Sequence, residues 1–230
     1  MDNDALLLRL QEDVIAIQST ALAGGTDLTR DVPTCPGWTV TDLLAHLWVV
    51  QSWVRSILRG REPQSTPEPG PAPVADFIDG ISDFLTALRA VSAEEPCWNF
   101  GPPPRTAGWW IRRQAHEHAI HRVDLESAFG TTPTFDAAFA ADGVDELLSM
   151  FYPRQVRMER SEPVTEPLHL VAADTGDTWT LGEGEPVATV TADAQTLYLG
   201  LWKRLDLAAA ARIDGDEAAA RRTLGLALTP

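Results

Sequence analysis

Basic charge is what this sequence most lacks. Its 18 Lys and Arg stand against 33 Asp and Glu, a formal net charge of −15, and Lys203 is the only lysine. A chain of that sign repels phosphate backbones, so neither nucleic acid nor an anionic membrane is an expected partner. Cysteine is nearly absent too. Cys35 and Cys97 lie far apart and form no CxxC pair, so nothing indicates a secreted disulfide framework. No stretch approaches the ~18 consecutive apolar residues of a membrane span. The opening MDNDALLLRLQED carries acidic residues where a signal peptide needs basic ones. The expectation is a soluble, cytoplasmic protein.

What is present is ordinary globular material: 44% hydrophobic and 22% charged residues over 230 positions, which excludes wholesale disorder and suits one large or two small domains. Residues 4–23 read as an amphipathic helix, with Leu7, Leu10, Val14, Ile17 and Ala21 at helical spacing before Gly24 and Gly25. The segment VPTCPGW (32–38) is a rigid turn, after which Thr39 or Thr41 can cap a second helix that stops at Gly60. Its buried stripe is Leu43, Leu47, Val50 and Val54, with His46 beside it. Two Pro-rich connections (61–73 and 94–106) flank a third helix at 74–91. A long helix then runs from Trp109 to a stop at Gly130, and a further one spans 135–152.

After Pro153 the period changes. PLHLVAA (167–173), DTWTL (177–181) and VATVT (187–191) are short runs of about period two between turn residues, a strand and hairpin signal. Residues 194–205 return to helix, 210–213 suit a last strand and 216–226 a terminal helix. The fold class is therefore α+β: a helical bundle over 1–155 with crossover connections, and a small α+β domain over 160–230, divided in the charged stretch RQVRMERSEP.

The long helix carries the chemistry. Glu117 and His121 are four residues apart, one turn apart on one face, and Asp124 extends that face. With His46 from the second helix they would supply three nitrogen and oxygen donors with a fourth position open, the pattern of a catalytic zinc or related divalent site. The plainer reading is a core histidine at 46 and a solvated Glu/His face on the long helix. His116 and His118 point about 100° to either side of Glu117 and are expected at the surface or behind the ligands. Cys35 reads as a small packed residue. Trp38, Trp48, Trp53, Trp109 and Trp110 read mostly as core, with one or two lining an apolar pocket.

The pair VPTCPGWTVTDLLAHL and AHEHAIHRVDLESAFG resembles the mycothiol-dependent maleylpyruvate isomerase family, within the DinB-like four-helix bundle superfamily. The resemblance implies metal ligands at His46, Glu117 and His121. It also likens the C-terminal part, with LYLGLWKRLD and IDGD, to that family's sterol-carrier-protein-like second domain. It implies zinc or another divalent metal, and mycothiol as co-substrate, held as a metal-bound thiolate for attack on an electrophilic small molecule. The outcome would be S-conjugation or a maleylpyruvate-type cis/trans isomerisation. On the family's pattern Asp124 would orient a ligand histidine; its plain reading is a surface aspartate paired with Arg122 or solvent. Arg204 would hold an anionic substrate group over the cleft; its plain reading is a surface arginine. A metal-dependent hydrolase lacks an obvious general base, and a non-catalytic ligand- or metal-binding module stands as the reading of another class. A monomer or a homodimer is expected.

Overall fold

The first helix, α1 (Asn3–Leu22), is capped by Asp2, whose side chain accepts from the Ala5 amide. The second, α2 (Val40–Gly60), opens on a reciprocal capping box between Thr39 and Asp42 and closes on Arg61 in the left-handed region. Helices α3 (Pro73–Arg89) and α4 (Ala107–Ala128) follow, and the four pack together with α1 against α4 and α2 against α3. Their inward rows are fully buried: Leu10, Val14 and Ile17 on α1, Leu43, Leu47 and Val54 on α2, Phe77 and Phe84 on α3. Each such side chain contributes roughly 1.5–3 kcal/mol by leaving water.

A charged contact ties α1 to α4. Asp13 is wholly buried and accepts from Arg122 Nη1 and from Arg9 Nε, each at 3.0 Å. Arg122 also donates to Glu126. The Pro-rich connections are pinned by indoles, with Trp53 Nε1 donating to the Gln64 carbonyl and Trp110 Nε1 to the Trp98 carbonyl, both at 2.7 Å. Trp53, Trp98, Phe100, Trp109 and Trp110 pack ring against ring.

The computed structural model describes residues 1–230, which divide into two units, Met1–Pro133 and Thr134–Pro230. This division falls earlier in the chain than the boundary expected at 155–160. Helix α5 (Ala137–Glu146) belongs to the second unit, where it packs on α7 (Ala194–Leu201). Gly143 makes room there for the Tyr198 ring, since a Cβ at that position would meet Cε2 at 2.3 Å. Nor does Pro153 end the helix. A π-helical turn, Leu147–Phe151, carries α5 into α6 (Tyr152–Arg157). A proline ring collides with the carbonyl four residues back in a regular helix, and the wider turn suits that missing bond.

The expected strands form as β1 (Leu168–Ala172), β2 (Thr178–Leu181) and β3 (Ala188–Ala192), joined by β4 (Arg212–Gly215) in the order β2-β1-β3-β4. β1 pairs antiparallel with β2 and parallel with β3, and β4 runs antiparallel to β3. Short α8 (Leu207–Ala210) and α9 (Glu217–Leu224) complete the unit. No helix in the chain is long and apolar enough to cross a membrane.

Candidate metal centre

Helix α4 is buried on almost every side, including at Arg113, Gln114, His116, His118 and Asp124. A helix of that kind is ordinarily apolar all round, so its polar residues must find partners inside the bundle. His118 shows how. Its Nδ1 donates to the Gln114 carbonyl at 2.9 Å, and its Nε2 accepts from Gln51 at 3.0 Å. Burial pushes its basicity down, to a pKa of about 4, so the ring is neutral. His116 and His118 are both fully buried, so of the two places expected for them the surface is excluded, because α4 has no solvated flank there.

The three predicted ligands come together within the first unit. His46 Nε2 lies 3.1 Å from Glu117 Oε1, and His121 Nε2 lies 3.5 Å from the same oxygen. The donor atoms of His46, Glu117 and His121 all fall within 4.8 Å of one another. Donors about a tetrahedral zinc, with bonds of ~2.0–2.2 Å, stand ~3.3–3.6 Å apart, the scale of the two separations from Glu117 Oε1. The side chains are 32%, 17% and 12% exposed in the order His46, Glu117, His121, so the cluster is sheltered yet open to a ligand.

Charge is arranged around these donors. Burial alone would raise the Glu117 carboxyl, but hydrogen bonds from His121 and His46 and the charge of Arg113 hold it well below the usual carboxylate range. Burial likewise opposes a charged His121. Hydrogen bonds with Asp124, Cys35 and Glu117 outweigh it and raise the imidazole well above its ordinary value. His121 Nδ1 meets Asp124 Oδ2 at 2.9 Å, leaving Nε2 toward the cluster, and the other oxygen of Asp124 accepts from the Thr34 hydroxyl at 2.6 Å. Asp124 is fully buried and does not pair with Arg122, which turns to Asp13 and Glu126.

The turn that precedes α2 supplies the rest of the wall. Val32 N donates to the Trp38 carbonyl at 2.9 Å and Trp38 N to Cys35 at 3.0 Å, with Gly37 at φ 84° where only glycine is at ease. This folding sets Thr34 on Asp124. It also brings the Trp38 ring to 5.1 Å from His46 and 6.4 Å from His121. Cys35, read from sequence as a packing residue, sits with its sulfur within 4.8 Å of donor atoms of His121 and Asp124. Neither cysteine forms a disulfide. Arg113 and Thr34 were not singled out by sequence, although Arg113 lies four residues before Glu117 on the same face and Thr34 belongs to the motif that leads to His46. Arg204 lies in the second unit, donates to the Trp202 carbonyl at 2.7 Å and rests over the Trp202 ring.

A four-helix unit with a two-histidine, one-carboxylate cluster on facing helices, followed by a small mixed-sheet unit, defines the class of protein. Residues 8–126 match the model of the mycothiol maleylpyruvate isomerase N-terminal domain, and residues 138–222 match that of the C-terminal domain of the same family. The chain belongs to this family of enzymes. Among solved structures, the crystal structure of the mycothiol-dependent maleylpyruvate isomerase is similar, with a TM-score of 0.65, 14% identity, and coverage of 86% of this chain and 88% of the other. A histidine-to-alanine mutant of that isomerase is similar to the same degree at 13% identity. No curated protein matches by sequence. The two matched segments meet between 126 and 138, where the structural division also lies.

Proposed function

We propose that this chain is a mycothiol-dependent isomerase or S-transferase of the cytoplasm, with a divalent metal, zinc by donor type, held by His46, Glu117 and His121. The observation that carries the reading is the convergence of the three donor atoms on spacings suited to a tetrahedral ion. When bound, such an ion supplies Lewis acidity that holds a thiol sulfur as thiolate at neutral pH. Family membership supports mycothiol as that thiol.

The chain's own residues have distinct tasks. Asp124 holds the Nδ1 proton of His121 and so keeps Nε2 available as a donor. Trp38 covers one side of the two imidazoles. The low carboxyl of Glu117 keeps it ionised throughout the neutral range. The thiol sulfur adds to the electrophilic carbon of a conjugated acceptor. If the resulting enolate rotates about the carbon–carbon bond that was double and re-forms it as the thiolate leaves, the outcome is isomerisation; if its carbon is protonated and the thioether is released, it is S-conjugation. Neither Cys35 nor Cys97 is required as nucleophile.

The test is metal content by elemental mass spectrometry, on protein purified without a metal-affinity tag, beside His46→Ala, Glu117→Ala and His121→Ala. Zinc in the wild type that is lost from each variant supports the reading, and it would be followed by assays with mycothiol and maleylpyruvate. A chain that stays metal-free when zinc is supplied overturns the thiolate mechanism and favours a non-catalytic binding module.

A further inference from the structure

Glu117 turns its two oxygens to different neighbours. Oε1 faces His46 and His121, at 3.1 and 3.5 Å. Oε2 instead accepts from Arg113 Nη2 at 3.1 Å, one turn earlier on α4. The Arg113 side chain is only 3% exposed, and a guanidinium keeps its charge wherever it is placed. Lodging a cation that deep is costly unless it is paired, and a carboxylate oxygen is the strong kind of partner.

We infer that Arg113 is a positioning residue that confines Glu117 to one donor oxygen and so keeps a coordination position free for an exogenous anionic sulfur ligand. The inference rests on the metal reading above. A carboxylate with both oxygens free can chelate an ion, and its second oxygen would then fill the place that an incoming thiolate needs. Arg113 prevents this by engaging Oε2. Its charge also offsets that of Glu117, so less negative charge opposes an anion drawn to a divalent ion there. A neutral thioether or amine gains less from that arrangement than a thiolate does. Lysine at 113 would keep the charge and one donor but lose the planar fork.

Cobalt(II) substitution of the full chain tests this, because visible absorption is intense for four-coordinate cobalt and weak at higher coordination number. A sulfur-to-cobalt band in the near ultraviolet reports thiolate binding, and N-acetylcysteine serves as the thiol probe. Wild type is expected to give the intense visible spectrum and a near-ultraviolet band on thiol addition. In Arg113→Met the visible intensity should fall with cobalt still bound, and half-formation of the thiol band should need about 10-fold more N-acetylcysteine or beyond, the scale of a lost supporting contact. Arg113→Lys should recover part of both.

If circular dichroism shows Arg113→Met unfolded, Arg113→Gln takes its place and the same two readings decide. A folded variant with the wild-type cobalt spectrum and thiol response overturns the inference and leaves the metal reading standing. A wild type that takes up no cobalt overturns both.

Discussion

The Thr34 hydroxyl donates to Asp124 Oδ1 at 2.6 Å, across 90 residues of sequence, while the other oxygen of Asp124 holds His121. A loop residue is thereby coupled to a ligand side chain through one buried carboxylate. Asp124→Ala should lower zinc affinity by ~10–100-fold, as loss of a ligand histidine's partner commonly does. Thr34→Val, which removes a single hydrogen bond of about 1 kcal/mol, should lower it ~5-fold, with Thr34→Ser restoring it. Competition against a chromogenic chelator measures all three. Equal affinities across the series would show that Asp124 and Thr34 serve only the packing.

His118 predicts a pH dependence of stability. Its folded pKa is lowered to about 4 from an ordinary 6.5, so between those values the unfolded chain binds a proton that the folded chain does not. Stability from this group is therefore complete above about pH 6.5 and is lost as pH falls toward 4, a loss of roughly 3 kcal/mol when complete. Replacement by glutamine removes the titration and should flatten urea-melt stability between pH 7 and 5 relative to wild type. Parallel profiles for the two proteins would contradict a neutral buried His118.

The second unit has its own sensitive point at Gly143. A methyl group there would meet the Tyr198 ring at 2.3 Å, and the ring is fully buried among Phe135 and Phe139. Gly143→Ala should destabilise by about 1–3 kcal/mol through overpacking, despite alanine's better helix propensity. Thermal melting measures it, and an unchanged or raised midpoint would mean that α5 and α7 can part without cost.

Most of the cluster was legible in the sequence because helical geometry makes i and i+4 neighbours without knowledge of the fold. Glu117 and His121 follow from their spacing alone, and the strand segments from period two. His46 was only a candidate partner from the residues, with a plain core histidine as the alternative, and family resemblance favoured it, since no local pattern says which helix faces which. The boundary was read from the change of period after Pro153, which counted the 135–152 helix with the bundle; its packing on α7, which spacing cannot show, puts it in the second unit. His116 and His118 were left between the surface and a place behind the ligands, because spacing turns them away from the Glu117 face without saying what covers them. Only the enclosure of α4 by the bundle reveals them as interior residues. Arg113 was hidden for the same reason, since a buried arginine is indistinguishable in sequence from an exposed one.

That enclosure limits how the chain can change in length. A single-residue insertion in α4 ahead of Glu117 would turn everything beyond it by about 100° about the helix axis. Glu117 and His121 would leave His46, and charged groups would be driven into the apolar interior, so folding and ligation would fail together. The Pro-rich connection between α2 and α3, largely exposed, carries no such penalty. Length variation is therefore expected to collect in that connection, with the spacing from Arg113 to Asp124 held fixed.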